Sequence, residues 1–361
     1  MYNSNEKTYG LDAVMDETRD IKVAFIGGSI TQGGNYTKPF IEKWQAERAG
    51  VITTINAGVG GTGSNYGALR FYDEVLKRKP DIVFVEFTLN DEVFQESIVK
   101  KSIESLIRQA YISDHQPVIS FIYIPDRRIV DGVYKIADDV RYYDEVLGYY
   151  GLKGINAHQI VLDAVSAKTH VWDDFVPEND VHPNSVQGEN IADLIYNEFK
   201  KNNYENYVKN IEWNPIKGFN AQDYKKPGPV SSLKGSYDSA WSDSKPNDVV
   251  TEGYGVPTTM PFDNFMATSK VGATMSFSFS GRTLGITTLF GKKGRAAHYT
   301  ISNAEGVIEK SGTMSNFIAK YDWYKNIMII IDDLEDSAHT LKITVEDGEG
   351  LFGIGQIWVD E

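Results

Sequence analysis

The sequence predicts a three-layer α/β/α domain built on a parallel sheet, followed by a β-sandwich of the jelly-roll kind. Three observations carry this. Strand and helix patterns alternate through roughly the first 200 residues, the rhythm of βαβ units with right-handed crossovers. The segment Asp81 to Thr88 is a continuous apolar strand, as expected where helices cover both faces of a sheet. Beyond about residue 205, short alternating segments separated by Gly, Asn and Asp replace the helical spacing. The expected boundaries are a first domain over 1–205, a linker over 206–228 and a β-sandwich over 229–361. Pro227-Gly228-Pro229 reads as a linker centre.

The elements follow in order. Residues 22–27 (Lys-Val-Ala-Phe-Ile-Gly) read as a buried strand. Residues 37–50 read as an amphipathic helix with Phe40, Ile41 and Trp44 on one face. Val51 to Asn56 is a second strand, and Ser64 to Lys79 a helix with Leu69, Tyr72, Val75 and Leu76 at helical spacing. After the 81–88 strand come a helix over 94–111, a strand over 117–124, and helices over 140–148 and 186–201. In the second domain, strands are expected at 275–280, 283–290, 298–302, 327–332, 339–346 and 352–359.

Composition narrows the function classes. The chain has 361 residues, 41% apolar and 24% charged, ordinary for a globular protein. No apolar run approaches the ~18 residues of a membrane span. The net charge of −14 makes a poor partner for nucleic acid phosphates or anionic lipid. The densest basic cluster, Lys77-Arg78-Lys79, precedes Pro80 and reads as a solvated helix end. Cysteine is absent, which excludes disulfides, thiolate nucleophiles and Cys-ligated zinc. Met1 to Asp20 lacks the apolar stretch of a signal peptide, so a cytoplasmic protein is expected, although a trimmed secreted chain would read the same.

Four segments at predicted strand ends carry residues suited to one site. Gly27-Gly28-Ser29-Ile30-Thr31 follows the first strand, where open α/β sheets bind ligands. A Gly-rich turn there exposes a small nucleophile, while helix capping is the alternative role for Ser29. Asn56 to Ser64 holds four glycines in six positions, a bare backbone whose N–H groups can face an oxyanion or a phosphate. Gly58, Gly60 and Gly63 formally match a dinucleotide fingerprint, but after the second strand rather than the first. Thr88-Leu89-Asn90-Asp91 ends the most apolar strand, placing the Asn90 amide at the same edge, with Asp91 the better helix cap. Asn179-Asp180-Val181-His182-Pro183-Asn184 precedes the last helix and offers the base that a serine nucleophile needs. Of six histidines, His298 and His339 fall in the β-rich part, His115 in a turn, and His158 and His170 among polar neighbours, leaving His182.

Together these segments resemble the sequence blocks of the SGNH hydrolases, or GDSL-like esterases and lipases, over the first ~200 residues. The resemblance implies Ser29 as nucleophile and His182 as base. The oxyanion donors would be the Ser29 N–H, the Gly61 N–H and the Asn90 side chain. No metal and no cofactor is implied. Two positions depart from the family pattern. Thr88 stands where its third block begins with Gly. Asn179 stands where its acid, three residues before the His, is expected. Three possibilities stay open for orienting His182: Asn179 or a backbone carbonyl, Asp180, or an acid elsewhere such as Asp174.

The second part resembles the carbohydrate-binding-module-like domains found beside such esterases. Its aromatic residues suit sugar stacking or a sandwich core, with Trp323 the best surface candidate. The combination implies an esterase that removes O-acetyl groups from mannan- or xylan-type polysaccharides or oligosaccharides. Three rival readings are a lipase or thioesterase, a non-catalytic carbohydrate-binding protein, and a nucleotide binder. The polar loop Gln32-Gly33-Gly34-Asn35-Tyr36 argues against the long apolar tunnel that the first requires.

Overall fold

The structure, a computed structural model, describes residues 11–92, 94–130, 138–201, 228–229, 235–244, 265–282, 284–317, 324–331 and 334–359. The chain divides into two compact units, 1–221 and 222–361. The linker expected over 206–228 lies outside the described residues except for Gly228.

In the first unit the elements are α1 (Leu11–Met15), β1 (Ile21–Gly27), α2 (Ser29–Gly33), α3 (Thr37–Ala46), β2 (Ile52–Gly58), α4 (Ser64–Glu74), β3 (Ile82–Glu86), α5 (Thr88–Asp91) and α6 (Glu96–Ile112). They continue with β4 (Val118–Tyr123), α7 (Arg127–Val130), α8 (Asp138–Tyr149), β5 (Gly154–Asn156), α9 (Ala157–Ser166) and α10 (Ser185–Lys201). The five strands form one parallel sheet in the order β2-β1-β3-β4-β5. Every residue of β3 and β4 is buried, whereas edge strand β2 is half exposed, as covering both faces of the central strands requires. The strand order reverses at β1 and β3, so the crevice between their carboxyl ends is where such a sheet binds ligand.

Local chemistry explains where the expected boundaries moved. The helix expected over 37–50 stops at Ala46, because the Ala49 and Gly50 N–H groups both bond the Glu17 carbonyl instead. The buried Arg48 guanidinium ties the same corner to the carbonyls of Val14, Asp16 and Arg19. The helix expected over 64–79 ends at Glu74, followed by a 3₁₀ turn and a left-handed Lys79 (φ 54°) before Pro80, which disfavours α geometry at the residue ahead of it. The strand expected over 81–88 ends at Glu86, because Asn90 and Asp91 N–H groups turn back to the Phe87 carbonyl. The three-residue β5 and helix α9 were not expected. Asn156 caps α9 by accepting from Gln159 N–H at 2.9 Å, a signal present in the sequence.

The core on one face of the sheet is aromatic. Phe40 is fully buried and meets Phe25, Trp44, Phe84 and Tyr196 edge to face, with Phe199 beside them. This cluster joins α3, α10 and the strands that end at the crevice.

The second unit comprises β6 (Gly228–Pro229), β7 (Gly235–Tyr237), β8 (Ser242–Ser244), β9 (Phe265–Thr268), β10 (Thr274–Ser280), β11 (Leu284–Phe290) and β12 (Ala296–Asn303). It ends with β13 (Ile308–Ser315), β14 (Tyr324–Ile331), β15 (Ala338–Val345), β16 (Phe352–Ile354) and β17 (Gln356–Val359). The strands pair antiparallel in sheets ordered β13-β12-β15-β10-β7, β14-β11-β17-β6 and β16-β9-β8. Phe277 and Leu341 of the first sheet share a core with Leu284, Ile286 and Ile357 of the second, the two-sided core of a sandwich. Two expectations are corrected. The strand expected over 352–359 is broken at Gly355 into β16 and β17. Strand β13 was missed because its edge position leaves almost every residue at least partly exposed, so no apolar alternation marks it. Trp323 lies outside the described residues.

Phe40→Ala is expected to lower the unfolding free energy by about 3–5 kcal/mol, because the aromatic cluster cannot collapse around the lost ring. Urea titration followed by tryptophan fluorescence measures this.

Candidate active site

Strand β1 delivers its last residue, Gly27, to the crevice, and the chain turns at once into α2. Gly28, not Ser29, is the N-cap of that helix, and no side chain caps it. Ser29 is therefore the first helical residue rather than a cap. Its N–H lies in a first turn, where no intrahelical acceptor exists. Gly28 is required by close approach, since a Cβ there would collide with the Asn90 side-chain oxygen and would stand 3.5 Å from the Thr62 carbonyl. One small residue thus brings the serine turn, the Gly-rich loop and the Asn90 amide together.

The loop after β2 is held open toward the serine. Gly61 adopts a left-handed φ of 71°, which suits glycine. Gly60 donates to Gln32 Oε1 at 2.9 Å, and the Thr62 hydroxyl to the Val59 carbonyl at 2.7 Å. A Cβ on Gly60 would lie 3.5 Å from Ser29 Cβ, so loop and nucleophile are neighbours. No acceptor for the Gly61 N–H is found among the described residues. Asp91 accepts from Ser64 N–H at 2.8 Å and from the Tyr143 hydroxyl at 2.7 Å, capping α4 from across the crevice. That is the capping role the sequence assigned to Asp91, exercised on a different helix.

His182 arrives from far along the chain. Its Nε2 lies 2.7 Å from Ser29 Oγ and its Nδ1 2.6 Å from Asp180 Oδ1. With a neutral imidazole, Nδ1–H donates to the Asp180 carboxylate and the Ser29 hydroxyl donates to Nε2. Asp180 Oδ1 also accepts from the N–H groups of Val181 (2.7 Å) and His182 (3.1 Å). Such an Asx turn folds the side chain back over its own loop and onto the ring. Asn179 is exposed and no hydrogen bond of its side chain is found among the described residues. Asp174 is engaged elsewhere, accepting from Val171 N–H at 3.0 Å. The geometry thus brings together Ser29, His182 and Asp180, with Gly61 and Asn90 beside them, and leaves Asn179 and Asp174 apart. Burial raises the Asp180 carboxyl, but the bonds from the His182 ring, its N–H and Val181 outweigh it and hold the group below the ordinary carboxylate range.

Residues that the sequence did not single out fix this loop. Asn35 donates to the Pro183 carbonyl at 2.6 Å, tying the His182 loop to the serine loop. Asn184 and Gln187 cap α10 reciprocally at 2.9 and 3.0 Å, a pattern visible as Asn-x-x-Gln just ahead of the helix. Gln187 Nε2 also holds the Asp173 carbonyl at 2.9 Å. The other histidines do different work: His158 is buried and accepts from Asp126 N–H, His339 meets Glu309 at 2.8 Å, and His115 stands 3.7 Å from Asp81. Among the described residues no group of three or more His, Asp or Glu is arranged to hold a metal.

A serine hydroxyl bonded to an imidazole, an imidazole bonded to a carboxylate, and adjacent unpaired N–H donors are the parts of acyl transfer. Asp180→Asn is expected to cut ester turnover by roughly 10⁴-fold, because the Nδ1–H loses the charge that stabilises the imidazolium. Asn179→Ala should leave turnover within a few-fold. Asn90→Ala should cost about 10²–10³ in kcat, the usual cost of one oxyanion donor. Steady-state hydrolysis of a chromogenic acetyl ester measures all three.

No curated protein matches the chain. A two-domain esterase active on acetylated mannans aligns over 97% of this chain and 95% of its own, at 18% identity and a TM-score of 0.75. The two-domain esterase active on acetylated mannans co-crystallised with mannopentaose aligns over 97% and 94%, at 19% identity and the same TM-score of 0.75. At these identities the likeness is one of fold, and it extends through both units. Residues 25–186 match the family model described as GDSL-like lipase/acylhydrolase, a span that begins in β1, ends just beyond His182 and contains every residue of the site. Over this span the chain is similar to the GDSL-like lipase/acylhydrolase family.

Proposed function

We propose that the protein is a serine esterase that removes O-acetyl groups from mannan- or xylan-type oligosaccharides through an acyl-enzyme on Ser29. The observation that carries the reading is the unbroken relay from Ser29 Oγ through His182 to Asp180, at 2.7 and 2.6 Å, standing at the β1–β3 crevice. Ser29 Oγ attacks the acetyl carbonyl as His182 Nε2 takes its proton, and Asp180 stabilises the resulting imidazolium. The oxyanion is received by the N–H groups of Ser29 and Gly61 and by the Asn90 amide. His182 then gives the proton to the departing sugar hydroxyl, and water repeats the sequence to release acetate.

Two features favour a sugar ester over a long acyl chain. The relay stands open, with the His182 and Asp180 side chains 48% and 58% exposed, which admits a bulky, hydrated leaving group. The loop beside it, Gln32 to Tyr36, is used for polar contacts to Gly60 and Pro183 rather than for an apolar tunnel. The two-domain esterase active on acetylated mannans aligns over 97% of this chain, which supports the same substrate class here.

Acetate release from acetylated mannan and xylan oligosaccharides, with Ser29→Ala as control, tests the proposal. The parent protein should release acetate and the variant should lose turnover by roughly a millionfold. Equal release by both would remove Ser29 as nucleophile. No release of acetate by a folded parent that cleaves longer acyl esters would overturn the substrate assignment.

A further inference from the structure

Beneath the serine turn lies a polar cluster that the acyl-transfer scheme does not use. Glu86, the last residue of β3, is 1% exposed. Its Oε2 accepts from the Thr31 hydroxyl at 2.9 Å, and the Tyr36 hydroxyl stands 2.9 Å from the same Thr31 oxygen. Thr31 and Tyr36 are themselves fully buried. Thr31 sits two residues after Ser29 in α2, and its carbonyl receives Asn56 Nδ2 at 2.7 Å and Gly34 N–H at 3.2 Å. The Glu86 carbonyl accepts the Gly28 N–H at 3.2 Å. Glu86 therefore grips the nucleophile turn twice, once through its backbone and once through Thr31.

The surroundings of this carboxyl are wrong for a carboxylate. Glu86 Oε1 is buried and has no hydrogen-bond partner, and no Lys, Arg or His forms an ion pair with the side chain among the described residues. The titratable and charged groups that face it are Tyr36, from the turn before α3, and Asp91, from α5. Around them are the Thr31 hydroxyl and the backbone N–H groups of Gly28 and Thr31, from α2 and its cap. An ionised carboxyl with an unmet oxygen, no cation and a second acid nearby is costly, whereas a neutral one is tolerated.

We propose that Glu86 works as a neutral buried acid, a positioning residue that holds the Ser29 turn through Thr31, and that its ionisation at alkaline pH suppresses turnover by placing negative charge behind the oxyanion donors. The proposal rests on Ser29 being the nucleophile. A developing oxyanion is stabilised by the positive ends of the Ser29 and Gly61 N–H groups, and a fixed negative charge on the opposite side of the same turn opposes it. Burial, and secondarily the charge of Asp91, push the Glu86 carboxyl up to about 8, against the hydrogen bonds from Thr31 and the backbone N–H of Gly28. The acid is neutral below that pH and charged above it, so the effect falls on the alkaline side. Tyr36 does not titrate in the same range, because burial and the neighbouring Glu86 raise its hydroxyl well above its ordinary value.

The test is the pH dependence of kcat for acetyl ester hydrolysis by the full chain and by Glu86→Gln. The parent should lose roughly 10- to 100-fold in kcat as pH rises through the ionisation, an order of magnitude suited to one buried charge beneath the nucleophile turn. Glu86→Gln, neutral at every pH and able to keep the Thr31 bond, should hold kcat near the parent's neutral-pH value and lack the alkaline fall. A parent without an alkaline fall, or a variant that keeps it, overturns the proposal. A second readout needs no activity. The infrared band of a protonated carboxyl should be present in the folded parent at neutral pH, bleach as the pH is raised, and be missing from Glu86→Gln. Its absence at neutral pH contradicts a neutral Glu86 even if the variant does not fold. Unchanged turnover by Ser29→Ala would instead overturn the nucleophile on which the proposal rests, while the infrared band would still report the state of Glu86.

Discussion

The contact on which the rest depends is the hydrogen bond between Ser29 and His182, residues 153 apart in sequence. It forms only if the carboxyl end of β1 and the start of α10 are held within a few ångström of each other. The fold meets that demand in layers. The aromatic cluster around Phe40 packs α10 and α3 onto the sheet. The Asn184–Gln187 cap fixes where α10 begins, and the bond from Asn35 to Pro183 pins the loop just ahead of it. Loop geometry is the weak link in such a design, and here each loop is bonded to another element of the site rather than only to itself.

The same logic runs through the oxyanion side. Gly60 is locked by Gln32 from the serine helix, Ser64 is capped by Asp91 from the β3 end, and Asn90 closes against Gly28. Three crossovers therefore terminate in one interlocked set of turns at the place where the strand order reverses. Glu86 lies under this set, supporting it from within the sheet. Preorganised donors need a rigid mount, and the mount here is built from side chains adjacent in sequence to the reacting groups.

Much of this was legible in the residues, for definable reasons. Buried parallel strands announce themselves as apolar runs, so β1, β3 and β4 could be placed from sequence. Ser29 and Asn90 stand just after such runs and Gly61 after β2, while His182, in the loop ahead of α10, was singled out by elimination among six histidines and by resemblance. The partner of His182 could not be fixed, because it depends on which way a loop side chain turns. Asp180 reaches the ring through an Asx turn two residues away, and the family spacing pointed instead to Asn179. Contacts made across the chain were equally hidden: nothing local to Asn35, Gln32 or Glu86 reveals the partner of each. In the second unit the longer strands with a buried face were found, while the short strands β7, β8 and β9 and the exposed edge strand β13 were not.

Covalent trapping addresses the central claim most directly. The full chain would be treated with a fluorophosphonate at neutral pH, digested, and mapped by mass spectrometry. If Ser29 is activated by His182 and Asp180, a single phosphonyl adduct should appear on the peptide containing Ser29, and Asp180→Asn should slow its formation sharply. An adduct on another residue, or an unmodified Ser29 in folded protein, would contradict the account.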